Sequence, residues 1–180
     1  MGLENERFLI FAYGTLKRGF PNHNLMQDLM QTNDATFLGV YRTVEKYPLV
    51  CGPYGVPFLL NLPNSGDSNS VLGELYAVSE IGLSRMDELE GTSRNHYERL
   101  AVEVVKKEGN NNNVAVVKAE GYFGHRSFAG ELWKKSGEKG LCEYDGEAAK
   151  GYVKRSDRPA NISFVDMVWL FINSPSSSSS

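Results

Sequence analysis

Short apolar runs broken by glycine, proline and asparagine fill the first two-thirds of the chain. Residues 8–13 (FLIFAY) form a bulky apolar run that predicts a buried strand, and the run stops abruptly at Gly14-Thr15-Leu16. A strand that enters a glycine turn leaves backbone N–H groups without ladder partners. Such groups can hold a carboxylate or an oxyanion, but an ordinary turn fits these residues too. Leu25, Met26, Leu29 and Met30 recur at helical spacing, predicting a short helix from Asn22 to about Gln31 with its apolar face in the core. Residues 35–44 read as a strand. Residues 47–50 and 56–62 read as short extended pieces, and Pro48, Pro53, Pro57 and Pro63 assign them to edges or a barrel rim.

Residues 64–69 form a polar loop, and 71–78 another strand. Ser79 as N-cap and Gly91 as the C-terminal stop bracket a helix over residues 80–90. Residues 96–107 and 114–124 pair as a hairpin around Glu108-Gly109 and the asparagine run 110–113, a flexible tip without chemistry of its own. Residues 126–158 are polar and predict loops with a short helix near Glu131 to Lys135. The stretch from Ile162 to Ile172 carries one charge. It is too apolar to sit in water and too short to span a bilayer, so it docks as a helix or strand or serves as a partner surface. Pro175 and the closing serines read as disordered. Strand-rich order without a βαβ period predicts a mixed α+β barrel or sheet.

Composition narrows the function classes. A length of 180 residues with 41% hydrophobic positions suits one domain with a real core, here residues 1–158, followed by an apolar extension over 159–180. A net charge of −3 and a pI near 5.7 argue against nucleic acid or an acidic membrane as partner. Residues 1–7 are polar and mostly acidic, unlike a signal peptide, and Glu6 breaks a myristoylation motif. No apolar run reaches the roughly 18 residues of a spanning helix. Cys51 and Cys142 are too few for a disulfide scaffold and read as free thiols in a reducing compartment. The expected location is cytoplasmic, where the sequon Asn161-Ile162-Ser163 is idle.

Several chemistries can be set aside. Gly14 and Gly19 have phosphate-loop spacing, but Phe20-Pro21 stand where Lys-Ser/Thr is required. His23, His96 and His125 are scattered without metal-ligand spacing, and no elbow motif supports a Ser or Cys nucleophile. Lys17 and Arg18 read as a solvated turn. The helix over 80–90 is more informative. At about 100° per residue, Glu90 falls on the apolar stripe of Leu83 and Met86, Asp87 lies at its margin, and Glu88 points to water. A carboxyl on an apolar stripe has a raised pKa and suits a general base. It can equally be a structural group satisfied by backbone N–H groups or an arginine. Asp87 reads as structural.

The opening F-A-Y-G-T-L-K-R-G-F-P-N-H resembles that of the γ-glutamylcyclotransferase-like superfamily, nearest its γ-glutamylamine cyclotransferase branch and the plant avirulence-induced proteins. Y-P-L-V at 47–50, P-F-L-L at 57–60 with Leu62-Pro63, G-E-L-Y-A-V at 73–78 and M-D-E-L-E-G at 86–91 follow in family order. The resemblance is good over residues 8–99, looser to 158, and absent from the tail. It implies an α+β fold, a small mixed β-barrel flanked by short helices. It also implies that a γ-glutamyl conjugate closes on itself, releasing 5-oxoproline and a free amine without cofactor, metal or covalent intermediate. Glu90 then falls on the family's catalytic glutamate, and Tyr13, Gly14, Thr15 and Leu16 grip the substrate. Either Tyr122 or Phe123 lines the pocket. The P-N-H, Y-P-L-V and P-F-L-L matches favour γ-glutamylamines over γ-glutamyl amino acids. The competing readings are a non-catalytic stress-response module that uses Ile162 to Ile172 as an interface, and a small hydrolase of another γ-linked or ester substrate.

Overall fold

Strand β1 (Phe8–Ala12) is apolar on both faces because both faces are covered. Ile10 and Ala12 pack into one buried cluster, and Phe11 packs into another. Its two edges are paired as well. Along one edge it runs antiparallel to β5 (Leu72–Val78), with Phe8 opposite Val78 and Ala12 opposite Glu74. Along the other it runs parallel to β7 (Val117–Gly124), with Phe11 opposite Gly121. Strand β2 (Ala35–Thr43) joins β5, β6 (Tyr97–Lys106) joins β2, and β7 joins β6, so β1-β5-β2-β6-β7 closes into a five-stranded barrel. A bulge between Phe37 and Gly39 bends β2, and Gly39 takes a positive φ of 135° there. Strand β4 (Pro57–Leu59) adds to β7, and β3 (Leu49–Cys51) adds outside it, the edge position that the prolines predict.

This computed structural model describes residues 7–107 and 115–175. The expected tip of the β6–β7 hairpin, the serine tail and the first six residues lie outside the described residues.

Helices cover one face of the barrel: α1 (His23–Gln31), α2 (Glu80–Glu90), α3 (Arg126–Lys135) and α4 (Phe164–Asn173). Met26, Leu29, Leu83, Met86, Phe128, Leu132 and Val168 pack there against Ile10, Tyr76 and Val78. The opposite face joins strand to strand through Phe11, Leu49, Leu59, Leu75, Val104 and Phe123. The caps of α2 form as predicted. The Gly82 N–H donates to Ser79 Oγ at 3.1 Å, and Gly91 is left-handed with φ 63°.

Helix α3 differs from expectation, whereas α1 runs over the residues expected, with Asn22 at its N-cap. Helix α3 begins at Arg126, not near Glu131, because Phe128, Ala129, Leu132 and Trp133 make a buried stripe from its first turn. His125 also caps it, accepting from the Ser127 N–H at 3.2 Å. Helix α1 starts at His23, which is buried, with its ring bonded to the Leu16 carbonyl at 2.8 Å. The 162–172 segment is α4, capped by Ser163. Met167 and Val168 are buried against the body, while Leu170 remains 61% exposed. The apolar extension therefore adds one stripe of side chains to the same core.

Candidate active site

The turn after β1 and the end of α2 meet on one cavity of about 830 Å³. Tyr13, Gly14, Thr15 and Leu16 line one part of it, and Glu90 another. The turn is held from several directions. Asn22 N–H donates to Thr15 O at 2.9 Å, and the Asn22 amide donates to Thr15 Oγ1 at 2.8 Å. Gly14 has no room for a side chain, since an added Cβ would lie 2.7 Å from Pro57 Cγ. Among the described residues, the N–H groups of Gly14, Thr15 and Leu16 donate to no protein acceptor. They form an unfilled row of donors at the cavity wall, suited to a carboxylate or a developing oxyanion.

Glu90 stands where the helical period put it, beyond the buried Leu83 and Met86, and is itself half-buried where the stripe opens onto the cavity. Gly91 ends the helix immediately after it. A Cβ on Gly91 would also collide with His96 Nδ1, so the glycine lets His96 close in on the site. Three tyrosines surround the carboxyl, and each hydroxyl is committed elsewhere. Tyr13 donates to Tyr122 O at 2.6 Å and accepts from the Leu59 N–H at 3.1 Å. Tyr97 donates to Pro57 O at 2.7 Å. Tyr122 donates to Asp87 Oδ1 at 2.7 Å, and Asp87 Oδ2 pairs with Arg99 at 2.6 Å. Among the described residues, no N–H, hydroxyl or guanidinium hydrogen-bonds to the Glu90 carboxyl.

Electrostatics follow from that arrangement. Burial pushes the Glu90 carboxyl up to about 7; the Arg155 cation pulls down and Asp87 pushes up, both less strongly. A rise from 4.5 to about 7 disfavours the charged form by about 3 kcal/mol. The group is therefore half-ionised near neutral pH, as a proton shuttle should be. Burial, with Arg94 and Arg155 nearby, lowers His96 to about 4, so the ring is neutral. Burial raises Tyr13 and Tyr97 well above the usual phenol range, which keeps them protonated.

Tyr122 lines the cavity, and Phe123 does not: Phe123 is fully buried on the other barrel face, with its ring centroid 5.3 Å from that of Tyr47. Lys17 is not a solvated residue. It is 7% exposed and donates to Tyr144 O at 2.7 Å. Arg18 pairs with Glu74 and lies over the Phe37 ring. Asp87 holds Tyr122 and Arg99. Glu88 is exposed, as its helical phase predicts. Sequence reading missed the far wall, which residues 152–167 supply through Tyr152, Arg155, Arg158, Ile162, Phe164 and Met167. The only signal there was an Arg-x-x-Arg-Pro run at 155–159 in a polar stretch. Among the described residues, no group of three His, Cys, Asp or Glu side chains is placed to hold a metal ion, and no helix is long and apolar enough to cross a membrane.

A closed five-stranded barrel with open N–H donors and an unpartnered carboxyl on one cavity is an arrangement suited to acid–base chemistry on a small acidic molecule. Comparison with known proteins gives that arrangement a family. The family described as gamma-glutamyl cyclotransferase, AIG2-like, matches residues 10–138, and this chain belongs to it. A provisionally named gamma-glutamylcyclotransferase of Arabidopsis thaliana is 53% identical over 93% of this chain and 92% of its own. The gamma-glutamylaminecyclotransferase of Rattus norvegicus is 47% identical over 53% of this chain and 62% of its own. The crystal structure of an AIG2-like protein from Mus musculus superposes with a TM-score of 0.69 at 35% identity, over 85% of this chain and 99% of the mouse chain. These relatives support a γ-glutamylcyclotransferase type of function.

Proposed function

We propose that this protein releases 5-oxoproline and a free amine from γ-glutamylamines, with Glu90 as general acid and base. One observation carries the reading: a half-buried carboxyl, free of hydrogen-bond partners among the described residues and open to the cavity, shares that cavity with three open N–H donors. In the proposed reaction the α-carboxylate of the γ-glutamyl group lies against the turn from Tyr13 to Leu16. Glu90 takes a proton from the α-ammonium. The freed nitrogen attacks the γ-carbonyl carbon, a C–N bond forms, and the carbonyl oxygen becomes an oxyanion held by N–H donors of the same turn. The oxyanion collapses, the bond to the leaving nitrogen breaks, Glu90 returns its proton to that nitrogen, and the ring nitrogen gives up its second proton to the departing amine, which leaves as an ammonium. Nothing is added or lost, and no water is consumed. Folding the substrate so that amine and carbonyl meet is worth several kcal/mol, about 7 at the low end for well-oriented groups.

The names of the rat and human relatives support γ-glutamylamines as the substrate class, with γ-glutamyl-ε-lysine as the representative compound. The test is product analysis of purified protein with γ-glutamyl-ε-lysine, a γ-glutamyl amino acid and glutathione. The expected result is 5-oxoproline and freed amine in equal amounts from the first. Turnover of the γ-glutamyl amino acid alone would keep the cyclisation and move the specificity. Glutamate as the product would replace cyclisation with hydrolysis. No turnover by folded protein would leave a binding module.

A further inference from the structure

The cavity has two unlike ends. The turn from Tyr13 to Leu16 can occupy one carboxylate, which every γ-glutamyl substrate carries. Away from it the lining includes four arginines: Arg85, Arg94, Arg155 and Arg158. Among the described residues, none of the four forms an ion pair; the arginines that do are Arg18, Arg99 and Arg126. Among the described residues, Glu88 and Glu90 are the acidic side chains on the cavity wall, and His96, which also lines it, is neutral.

Each guanidinium that is held is held by carbonyls, which orient it without cancelling its charge. Arg155 donates through Nη2 to Leu89 O at 3.0 Å, beside Glu90. Arg94 donates through Nη2 to Glu88 O at 2.9 Å. Both thus sit on the last carbonyls of α2, where a cation is favoured. Arg158 donates through Nε to Val153 O at 2.8 Å and lies beside the Tyr152 and Phe164 rings, 5.4 and 5.8 Å from their centroids. A guanidinium has five N–H donors, so each of these three keeps donors in reserve. Capping one helix end needs one arginine. Several unpaired guanidiniums around one cavity make a receptor for a second anion.

Resting on the cyclotransferase reading above, we propose that the leaving amine must carry a carboxylate, which Arg155 binds with Arg94 and Arg158 around it. The preferred substrates are then γ-glutamylamines whose amine is the side-chain amine of an amino acid or peptide. Conjugates of simple monoamines and polyamines are poor substrates, because they offer these arginines no anion and polyamines bring further positive charge. Arg155 and Arg158 lie beyond residues 10–138, so this selectivity comes from a segment outside the family match.

Two substrates isolate the effect. γ-Glutamyl-ε-lysine and γ-glutamylcadaverine have the same chain, the same scissile amide and the same terminal ammonium, and differ only in the carboxylate. The experiment measures kcat/KM for both, with wild-type protein, Arg155→Met and Arg155→Lys. The expected wild-type ratio favours the lysine conjugate by at least about tenfold, as a charge-assisted hydrogen bond gives. The ratio should collapse towards one in Arg155→Met and recover in part in Arg155→Lys. Because each ratio is taken within one variant at one pH, any change in Glu90 cancels. A wild-type ratio near one, or a large ratio that Arg155→Met leaves intact, would overturn the assignment. Turnover of neither compound by folded wild-type protein would instead overturn the cyclotransferase reading, and this inference with it.

Discussion

Glu74 and Glu90 are both carboxylates set into the apolar body of one small barrel, yet their surroundings are opposite. Glu74 is 6% exposed, and its oxygens are filled. Oε1 accepts from the Arg18 N–H and the Tyr76 hydroxyl, each at 2.9 Å, and Oε2 accepts from Arg18 Nε at 2.9 Å. Glu90 is surrounded by tyrosines whose hydroxyls all point to other acceptors, and its nearest cation bonds to a neighbouring carbonyl. A carboxylate with its lone pairs filled is structural, because further change only removes bonds. A carboxyl packed among apolar groups with its oxygens facing an open cavity is left free to exchange a proton with what binds there. Burial points the same way: Glu74 is buried, whereas Glu90 is half-buried and opens onto the cavity.

That contrast can be broken or sharpened by substitution. Replacing Glu90 should stabilise the protein, and the pH dependence gives the sign. The native carboxyl binds its proton more tightly than the unfolded one, about 7 against 4.5. Between those values the native state holds more protons, so this group's contribution to stability falls as pH rises. Glu90→Gln removes the penalty, so it should be more stable than wild type by up to about 3 kcal/mol at about pH 8 and equal to it at about pH 4. For a chain of this size that is a rise of several degrees in Tm, readable by calorimetry. A variant that melts lower at alkaline pH would mean that Glu90 has partners after all.

Glu74→Gln should do the reverse. It strips charge from three hydrogen bonds and frees a half-exposed Arg18, so a loss of about 2 kcal/mol is expected in denaturant unfolding, with kcat changed little. A variant of normal stability but lost turnover would exchange the roles of the two residues. The smallest expected effect is a displacement of the pH profile. The acid limb of kcat/KM should fall near pH 7, and Arg155→Met should move it to higher pH, because the cation that pulls the Glu90 carboxyl down is gone. A limb that stays in place would separate Arg155 electrically from Glu90.

What could be read from the sequence follows the range of the forces involved. The α2 helix was legible because its determinants are local: Ser79 and Gly91 mark its ends, and a 3.6-residue period puts Glu90 behind Leu83 and Met86. The Gly14 turn was legible for the same reason. The choice between Tyr122 and Phe123 depended on a one-residue register, which pairing with β6 fixes, with Arg99 opposite Tyr122 and Glu98 opposite Phe123. Lys17 was misread because its partner, the Tyr144 carbonyl, is distant in sequence. The arginine wall was invisible because residues 152–160 have no period to read. Arg155 and Arg158 are brought to the cavity by single-turn helices and by the docking of α4.

The most direct test of the account is 5-oxoproline release from γ-glutamyl-ε-lysine by Glu90→Gln, measured beside wild type with both proteins confirmed folded. General acid–base catalysis of this kind is worth about a hundredfold to ten-thousandfold, so the variant should lose at least that lower factor in kcat while melting no lower than wild type at alkaline pH. Release at the wild-type rate from folded Glu90→Gln would contradict the account and leave Glu90 a cavity-wall carboxyl without a role in the reaction.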